Sequence, residues 1–241
     1  MSAEKADIIA ALQREILRLE GFRPGSHAAV DVSLGPFQEA FPNGTFPVGA
    51  VHEFLTASME QGAATSGFMA GLLAPLMGDK GVAIWVSAAR RLFPPALQGF
   101  GISPDRFIFL DLKKERDVLW AMEEALKCGA LAAVVGEVRE ISFTASRRLQ
   151  LAVEQSRVTG FVLRHAQRNV GTTACVSRWR ITSLASEPEE GLPGLGFPQW
   201  KVELLRMRNG KTGVWNIRWE DGTFTPVYTT VQIHEQQQQV G

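Results

Sequence analysis

Apolar runs and predicted helices alternate through the middle of this chain. Five short apolar runs are typical of strands buried in a parallel sheet, at residues 50–55, 81–87, 107–110, 131–135 and 160–165. Helices are predicted between them, at residues 63–77, 94–100, 115–129 and 145–156. Strict alternation of strand and helix requires βαβ crossovers. We therefore predict an α/β fold with a mostly parallel twisted sheet and helices on both faces.

The pattern changes after about residue 172. Residues 173–183, 200–208 and 213–219 alternate apolar and polar side chains, as half-buried strands do. The dipeptide Asn209-Gly210 separates the second and third of these strands, and it is a strong hairpin signal. We therefore predict a C-terminal antiparallel hairpin at the end of the sheet.

The two ends of the chain differ from this core. Residues 1–21 are predicted to form an N-terminal amphipathic helix. Its apolar stripe suits contact with the chain's own domain, a second copy or a partner, and it consists of Ile9, Leu12, Ile16 and Leu19. Residues 22–46, rich in Gly, Pro and Asn, are predicted to be a connecting arm with little regular structure. The core is then residues 47–226, and residues 227–241, which include a run of four Gln, form a disordered polar tail.

Charge and composition narrow the classes of function. The chain has 25 basic and 25 acidic residues, a balance that gives no general attraction to nucleic acid or to membranes. The sequence contains no signal peptide and no apolar stretch long enough to cross a bilayer, so we expect a cytoplasmic protein with no membrane contact. The two cysteines lack the spacing of a metal site, and their apolar surroundings predict buried thiols.

Arginine is in excess between positions 147 and 180. This stretch contains seven Arg and a single acidic residue, Glu154. Two interpretations stay open. One is a local basic surface that contacts phosphates or an acidic partner, and the other is a solvated face without a ligand.

Residues 47–76 have the order strand, loop, helix, which is the layout of a phosphate-binding loop in which backbone amides face an anion. The pattern G-x-x-x-x-G-K-[ST] is absent, and residues 56–67 contain no Lys or Arg. Gly62, Thr65 and Ser66 are the candidates for a degenerate nucleotide loop. At the predicted helix start, the hydroxyls of Thr65 and Ser66 suit either ordinary N-capping or a hydrogen bond to an anion.

These segments resemble the core of RecA. The run PVGAVHE at residues 47–53 is similar to the turn and strand that lead into the RecA phosphate loop, and residues 81–110 resemble the strand, helix and strand that follow. Residues 131–138 correspond to the strand with the metal-binding aspartate, and residues 160–165 to the strand before a DNA-binding loop. The resemblance extends over about residues 45–225 and implies a RecA-like sheet.

Three motifs resemble the ImuA family, which is also grouped with SulA-type proteins. They are HEF at residues 52–54, ATSGF at 64–68 and GLLAPL at 71–76. Members of that family are RecA-like accessory proteins of SOS-induced mutagenesis. The resemblance implies a non-catalytic adaptor in translesion DNA synthesis, which bridges an ImuB-type Y-family-like polymerase subunit and RecA, or associates with itself.

The resemblance also implies that ATP hydrolysis is lost. Hydrolysis of the RecA type uses a lysine on the phosphates, an acid on Mg²⁺ and a carboxylate that orients water. The loop has no lysine, Ala89 replaces the strand-end glutamate and Gly136 replaces the aspartate. Glu137, one residue later, could still bind a metal, although a one-residue step turns its side chain to the opposite face of the strand. We expect no enzyme activity and no required cofactor, with residual binding of ATP and Mg²⁺ left open.

The segments that correspond to the RecA DNA-binding loops are short. Residues 136–148 pass from strand to helix almost directly, and residues 165–173 form the second, abbreviated connection. Arg164, Arg168 and Arg178 keep positive charge near this edge. They suit weak or indirect contact with DNA, or contact with a partner.

Two other functions stay open from the sequence. One is an ATP-binding protein or weak DNA-dependent ATPase with an atypical phosphate loop, and the other is a SulA-like inhibitor of cell division. His165 ends a strand at the carboxyl edge, where the active sites of α/β proteins lie, but no carboxylate or nucleophile lies beside it in sequence. We interpret it as a surface or hydrogen-bonded residue, and His52 as a half-buried core residue of its strand or a subunit-contact residue.

Overall fold

A mixed sheet forms the body of the protein. The computed structural model describes residues 34–165, 170–186 and 196–227. Within these ranges the strands are β1 (Val51–Leu55), β2 (Ala83–Ser87), β3 (Phe107–Asp111), β4 (Ala133–Val138), β5 (Thr159–Arg164), β6 (Ser177–Leu184), β7 (Gln199–Met207), β8 (Gly213–Glu220) and β9 (Thr223–Pro226). Their order is β3-β2-β4-β5-β1-β6-β7-β8-β9, so β1 lies at the centre.

The sheet is parallel on one side and antiparallel on the other. All pairings from β3 across to β6 are parallel, and β6 to β9 pair as antiparallel neighbours. The predicted class of α/β fold is therefore confirmed. The antiparallel part is larger than the predicted hairpin, because β9 adds a fourth strand that is too short to produce a clear alternating pattern.

Helices cover both faces of the sheet, as predicted. Helix α1 (Met59–Met77) and a 3-10 helix at Pro94–Phe100 pack on one face, and α2 (Glu115–Leu126) and α3 (Phe143–Ser156) pack on the other. In β1, β2, β4 and β5, alternate side chains enter one of two separate cores, as the two-residue period of a strand requires. Of the helices described, none is long and apolar enough to cross a membrane.

The predicted connecting arm is part of the core where the structure describes it. Residues 34–46 form two short 3-10 helices, and the side chains of Phe37, Phe41 and Phe46 are buried. The ring of Phe37 contacts Trp179 and four other aromatic rings. The prediction of little regular structure is therefore wrong for these residues, because burial of three Phe side chains outweighs the local Gly and Pro content. Residues 1–33 and 228–241, with the predicted helix and tail, lie outside the described residues.

Helix α1 packs very closely against the C-terminal strands at Gly71. A Cβ atom at this position would lie 2.6 Å from Cζ of Phe224 and 2.9 Å from the ring of Trp219. A glycine inside a helix ordinarily costs about 1 kcal/mol relative to alanine. Here it lets two aromatic side chains approach the helix backbone, and so it joins α1 to the antiparallel part of the sheet.

Candidate functional site

In the connection between β1 and α1, side chains bond two of the backbone amides that could face a ligand. The connection consists of only three residues, Thr56 to Ser58. Ser58 is the N-cap of α1 and accepts a hydrogen bond from the amide of Gln61 at 3.2 Å, while the Gln61 side chain accepts one from the amide of Ala57 at 2.8 Å. A phosphate-binding loop needs free amides at this point. Glu60 adds a negative charge in the first turn of the helix, which further disfavours an anion.

The candidates for a degenerate nucleotide loop lie inside α1. The helix begins at Met59, earlier than predicted, and Gly62, Thr65 and Ser66 belong to its first two turns. Ser66 donates to the carbonyl of Gly62 at 3.0 Å, and Thr65 is fully buried. The prediction that the hydroxyls of Thr65 and Ser66 lie at the helix start is wrong, because Ser58 and Gln61 cap the helix one to two turns earlier.

A buried chain of hydrogen bonds joins four neighbouring strands, from the middle of β2 to the carboxyl end of β1. Thr56 Oγ1 lies 3.2 Å from Nδ1 of His165, and Nε2 of His165 lies 3.0 Å from the carboxylate of Glu137. Trp85 Nε1 donates to the other oxygen of Glu137 at 2.5 Å. The carboxylate can only accept, so Nε2 of His165 carries the proton in this contact. All four side chains are buried, so the edge where α/β proteins bind ligands is filled by the protein itself.

Glu137 faces α1, and Gly136 faces α2. A Cβ atom at Gly136 would lie 2.5 Å from the sulfur of Met122, so α2 occupies the space that an aspartate would need. Glu137 points to the opposite face, as the alternation along a strand predicts, and both of its oxygens accept hydrogen bonds. Among the described residues, no group of three or more His, Cys, Asp or Glu side chains is arranged to hold a metal ion.

A second buried charge cluster lies on the other face of β1. Glu53 is fully buried, and Arg164 Nη1 donates to one of its oxygens. Arg178 Nε and Thr173 Oγ1 donate to the other oxygen at 2.6 and 3.0 Å. Two guanidinium groups therefore neutralise one carboxylate, and buried charges of this kind require such partners.

This cluster corrects the prediction of a surface contact at Arg164 and Arg178. The side chain of Arg164 is 4% exposed and that of Arg178 is 14% exposed, so neither presents its charge to a large partner. Arg168 lies outside the described residues. The sequence does contain one sign of this cluster, a glutamate within an apolar strand, because a buried carboxylate needs cations nearby. Periodicity alone does not indicate which arginines supply them.

His52 is fully buried on the α1 face of β1, rather than half-buried as predicted. Its Nε2 donates to the carbonyl of Pro47 at 2.8 Å, and Nδ1 lies 2.7 Å from the hydroxyl of Ser177. The ring of Phe46 stacks on the imidazole at 4.3 Å between centroids. Burial lowers the pKa of His52 to about 4, so the imidazole is neutral near pH 7. His52 therefore joins the arm to β1 and β6 and is not available to a ligand.

Comparison with known proteins identifies relatives that are similar to this chain in sequence. Protein ImuA of Caulobacter vibrioides, from two strains, is 37% identical over 198 residues, which is 77% of this chain and 81% of that protein. Cell division inhibitor SulA of Photorhabdus laumondii is 29% identical over 119 residues, which is 48% of this chain and 67% of that protein. No protein-family model matches the chain.

A solved structure supports the fold. The crystal structure of the RadB recombinase superposes with a TM-score of 0.52 at 15% identity, over 77% of this chain and 94% of the recombinase. At this identity the likeness concerns the fold alone, and the fold is RecA-like.

Proposed function

The chain belongs to the ImuA family, and we propose that it is a non-catalytic adaptor in SOS-induced translesion DNA synthesis. In this proposal it works in the cytoplasm, without a required cofactor, and bridges an ImuB-type Y-family-like polymerase subunit and RecA. Any contact with DNA is weak or made through these partners. Family membership supports the general role in mutagenesis, and the partners follow from the resemblance in sequence.

The observation that carries the proposal is the closed connection between β1 and α1. A working phosphate loop leaves several amides free and supplies a lysine. Here the side chains of Gln61 and Ser58 bond the amides of Ala57 and Gln61, and residues 56–67 contain no Lys or Arg. His165 and Glu137 fill the adjacent edge with contacts to each other. These features favour a scaffold that binds proteins over a site that turns over nucleotide.

Exposed apolar side chains on the parallel edge of the sheet also favour protein contact. Among the strands that the structure describes, β3 is the terminal one on that side, and Ile108 and Leu110 on it are 53% and 38% exposed. Trp120 on α2 is 63% exposed. Large apolar side chains at an unpaired strand edge are typical of interaction surfaces.

Co-purification tests the proposal directly. The tagged full chain is expressed with the ImuB-type protein and with RecA from the same genome, singly and together, after treatment with DNA-damaging agents. We expect a stable complex with the ImuB-type protein, and capture of neither partner would contradict the adaptor role. Deletion of residues 1–21 is expected to abolish the complex if that segment docks on the partner, and deletion of residues 228–241 is the matched control.

Nucleotide turnover is the competing hypothesis and needs its own measurement. Equilibrium binding of labelled ATP, and ATP hydrolysis with and without single-stranded DNA, are measured on the purified chain with RecA of the same genome as positive control. We expect no saturable binding and no hydrolysis above a no-protein blank. Mg²⁺-dependent turnover that rises with protein concentration would establish an ATPase instead.

The similarity to SulA supports a second candidate, inhibition of cell division. The matched segment is 119 residues long and covers less than half of this chain, whereas the similarity to ImuA covers 77%. Overexpression separates the two functions, because a division inhibitor makes cells filament without DNA damage. We expect cells of normal length, and filaments would favour the second candidate.

A further inference from the structure

A cavity of about 340 Å³ lies away from the carboxyl-edge site, between the start of α3 and the end of β7. It is lined by residues of α3, of the segment before β6, of the end of β7 and of the position after it: Phe143, Arg147, Thr173, Ala174, Cys175, Arg206, Met207 and Arg208. Its volume is at the lower end of the roughly 300–1,000 Å³ of ligand pockets. Three arginines lie among the eight lining residues, so the cavity is strongly basic.

The arginine charges of this cavity are not neutralised within the described residues. None of the ion pairs there involves Arg147, Arg206 or Arg208. The buried carboxylate of Glu53 is already held by Arg164 and Arg178. Burial and the nearby charges of Arg178 and Arg208 lower the pKa of Arg206, and the charge of Glu53 only partly opposes this effect.

Two of the arginines are fixed in place but keep free donors. Arg206 Nη2 donates to the carbonyls of Thr173, at 3.0 Å, and of Cys175, and Arg208 Nη2 donates to the carbonyl of Ala174 at 3.0 Å. Their Nε and Nη1 groups form no hydrogen bond within the described part of the chain. Preorganised guanidinium donors of this kind suit a planar carboxylate. Arg147 is exposed and makes no described contact, so it can close on a ligand from the helix side.

Apart from Thr173, the rest of the lining is apolar. Phe143 is 51% exposed at the first position of α3, and Ala174, Cys175 and Met207 contribute further apolar surface. A ligand that fills this cavity therefore carries a carboxylate beside an apolar group. Acidic side chains next to Leu or Phe in a peptide have this chemistry, and arginine and aromatic side chains are the usual anchors of protein interfaces.

We propose that the Arg147–Arg206–Arg208 cavity is a docking pocket for an acidic and apolar peptide segment of a protein partner. This inference rests on the proposed adaptor role and gives it a binding surface. A peptide is favoured over nucleic acid for two reasons. The net charge of the chain is zero, and the cavity is a single local pocket with apolar side chains beside its arginines, whereas a nucleic acid backbone binds along an extended basic track.

A labelled peptide tests the pocket without the partner. Fluorescein-labelled Gly-Leu-Asp-Leu-Phe-Gly with capped ends is titrated with the full chain, and binding is followed by fluorescence anisotropy. Arg147→Glu is the main variant, because Arg147 has no described contact that supports the fold. Arg148→Glu is the matched control, since the adjacent residue carries the same charge and pairs with Glu123 outside the cavity. Circular dichroism checks folding, and Arg147→Gln replaces the main variant if it unfolds.

The expected results are specific for the cavity. The wild type and Arg148→Glu bind the peptide, Arg147→Glu binds it about tenfold or more weakly, and the peptide with Asn in place of Asp loses affinity to a similar extent. Absence of saturable binding by the wild type, or equal binding by Arg147→Glu, overturns the inference. An oligothymidine strand that binds in an Arg147-dependent manner while the peptide does not would assign the cavity to nucleic acid and would overturn it too.

The co-purification with the ImuB-type protein separates this inference from the adaptor role. If the wild type captures neither the ImuB-type protein nor RecA, the adaptor role fails, whatever the peptide does. If the wild type and Arg147→Glu capture a partner equally well, the adaptor role stands and the pocket is not its docking site. We expect capture by the wild type and by Arg148→Glu, and a clear loss with Arg147→Glu.

Discussion

His165 Nε2 lies 3.0 Å from the carboxylate of Glu137, and this contact ties the end of β5 to the end of β4. Nδ1 of the same ring lies against Thr56 at the end of β1, so the imidazole spans three adjacent strand ends. In a RecA-like sheet this edge is where nucleotide chemistry would take place. Here the side chains of Thr56, His165 and Glu137 form hydrogen bonds with one another, so they stabilise the fold and fill this edge of the sheet.

Replacing His165 tests that structural role. His165→Ala leaves Glu137 with Trp85 as its only described donor, and a buried group that loses a partner costs about 1–3 kcal/mol. We expect the free energy of unfolding in urea to fall by that amount, with unchanged capture of the ImuB-type partner. Glu137→Gln should have a similar effect on stability, because the two residues act through one contact. Unchanged stability together with lost partner binding would show that His165 acts at an interface instead.

The Glu53 cluster predicts a larger effect. Glu53→Gln preserves the shape of the side chain but leaves Arg164 and Arg178 without their shared counter-charge in a buried site. Breaking a buried ion pair by removing one partner costs about 3–5 kcal/mol. We expect a loss of that size in chemical denaturation.

Glu203→Gln is the matched control for Glu53. Glu203 lies on β7, where Arg180 and Lys201 are 3.9 and 3.8 Å from its carboxylate, and both cations are more than 40% exposed. Exposed pairs contribute about 0–1 kcal/mol, so this variant should be nearly as stable as the wild type. Equal losses in the two variants would contradict the buried role of Glu53.

His52 makes stability depend on pH. Its pKa is about 4 in the folded protein against 6.5 for the unperturbed side chain. Between these pH values the unfolded chain takes up a proton that the folded protein does not. The contribution of His52 to the free energy of unfolding is therefore fully present above pH 6.5 and is lost as the pH falls towards 4. The shift corresponds to about 3 kcal/mol.

Urea unfolding at a series of pH values checks this expectation. His52→Gln removes the titrating group while keeping polar atoms near Pro47 and Ser177, so this variant should lose most of the pH dependence below 6.5. Its stability at pH 7 is expected to be lower, because the imidazole packing against Phe46 is lost. A wild-type stability that stays flat from pH 7 to 4 would contradict the role of His52.

The sequence pattern predicted the parallel strands well, because buried strands form short apolar runs whose length and period are distinctive. It misplaced the start of α1, because residues Met59 to Ser66 are mostly small or polar and resemble a phosphate loop more than a helix. Ser58 and Gln61 do indicate the true start of α1, since a Ser followed three residues later by Gln is a capping pattern. The predicted helix start followed the resemblance to the RecA phosphate loop instead of this capping pattern.

The contacts of the candidate site could not be predicted from the sequence pattern. Trp85, Glu137 and His165 come from three strands that are far apart in the chain, and only the strand order brings them together. The same holds for Glu53 and its two arginines. Sequence indicates that a polar residue within an apolar strand needs a partner, but the choice of partner depends on which strands are neighbours and which face each side chain takes.

The two cysteines give a simple test of the packing on the α3 face. Both were predicted to be buried, but Cys128 is exposed because α2 ends at Leu126, before it, while Cys175 is buried. Burial and the charge of Glu53 raise the pKa of the Cys175 thiol to about 12, so at pH 8 roughly one in ten thousand of these thiols is ionised. With Ellman's reagent we expect the native protein to react at one thiol per chain and the urea-unfolded protein at two. Cys128→Ser should abolish the native reaction, and rapid reaction of both thiols in the native wild type would contradict the packing of Cys175 beside the basic cavity.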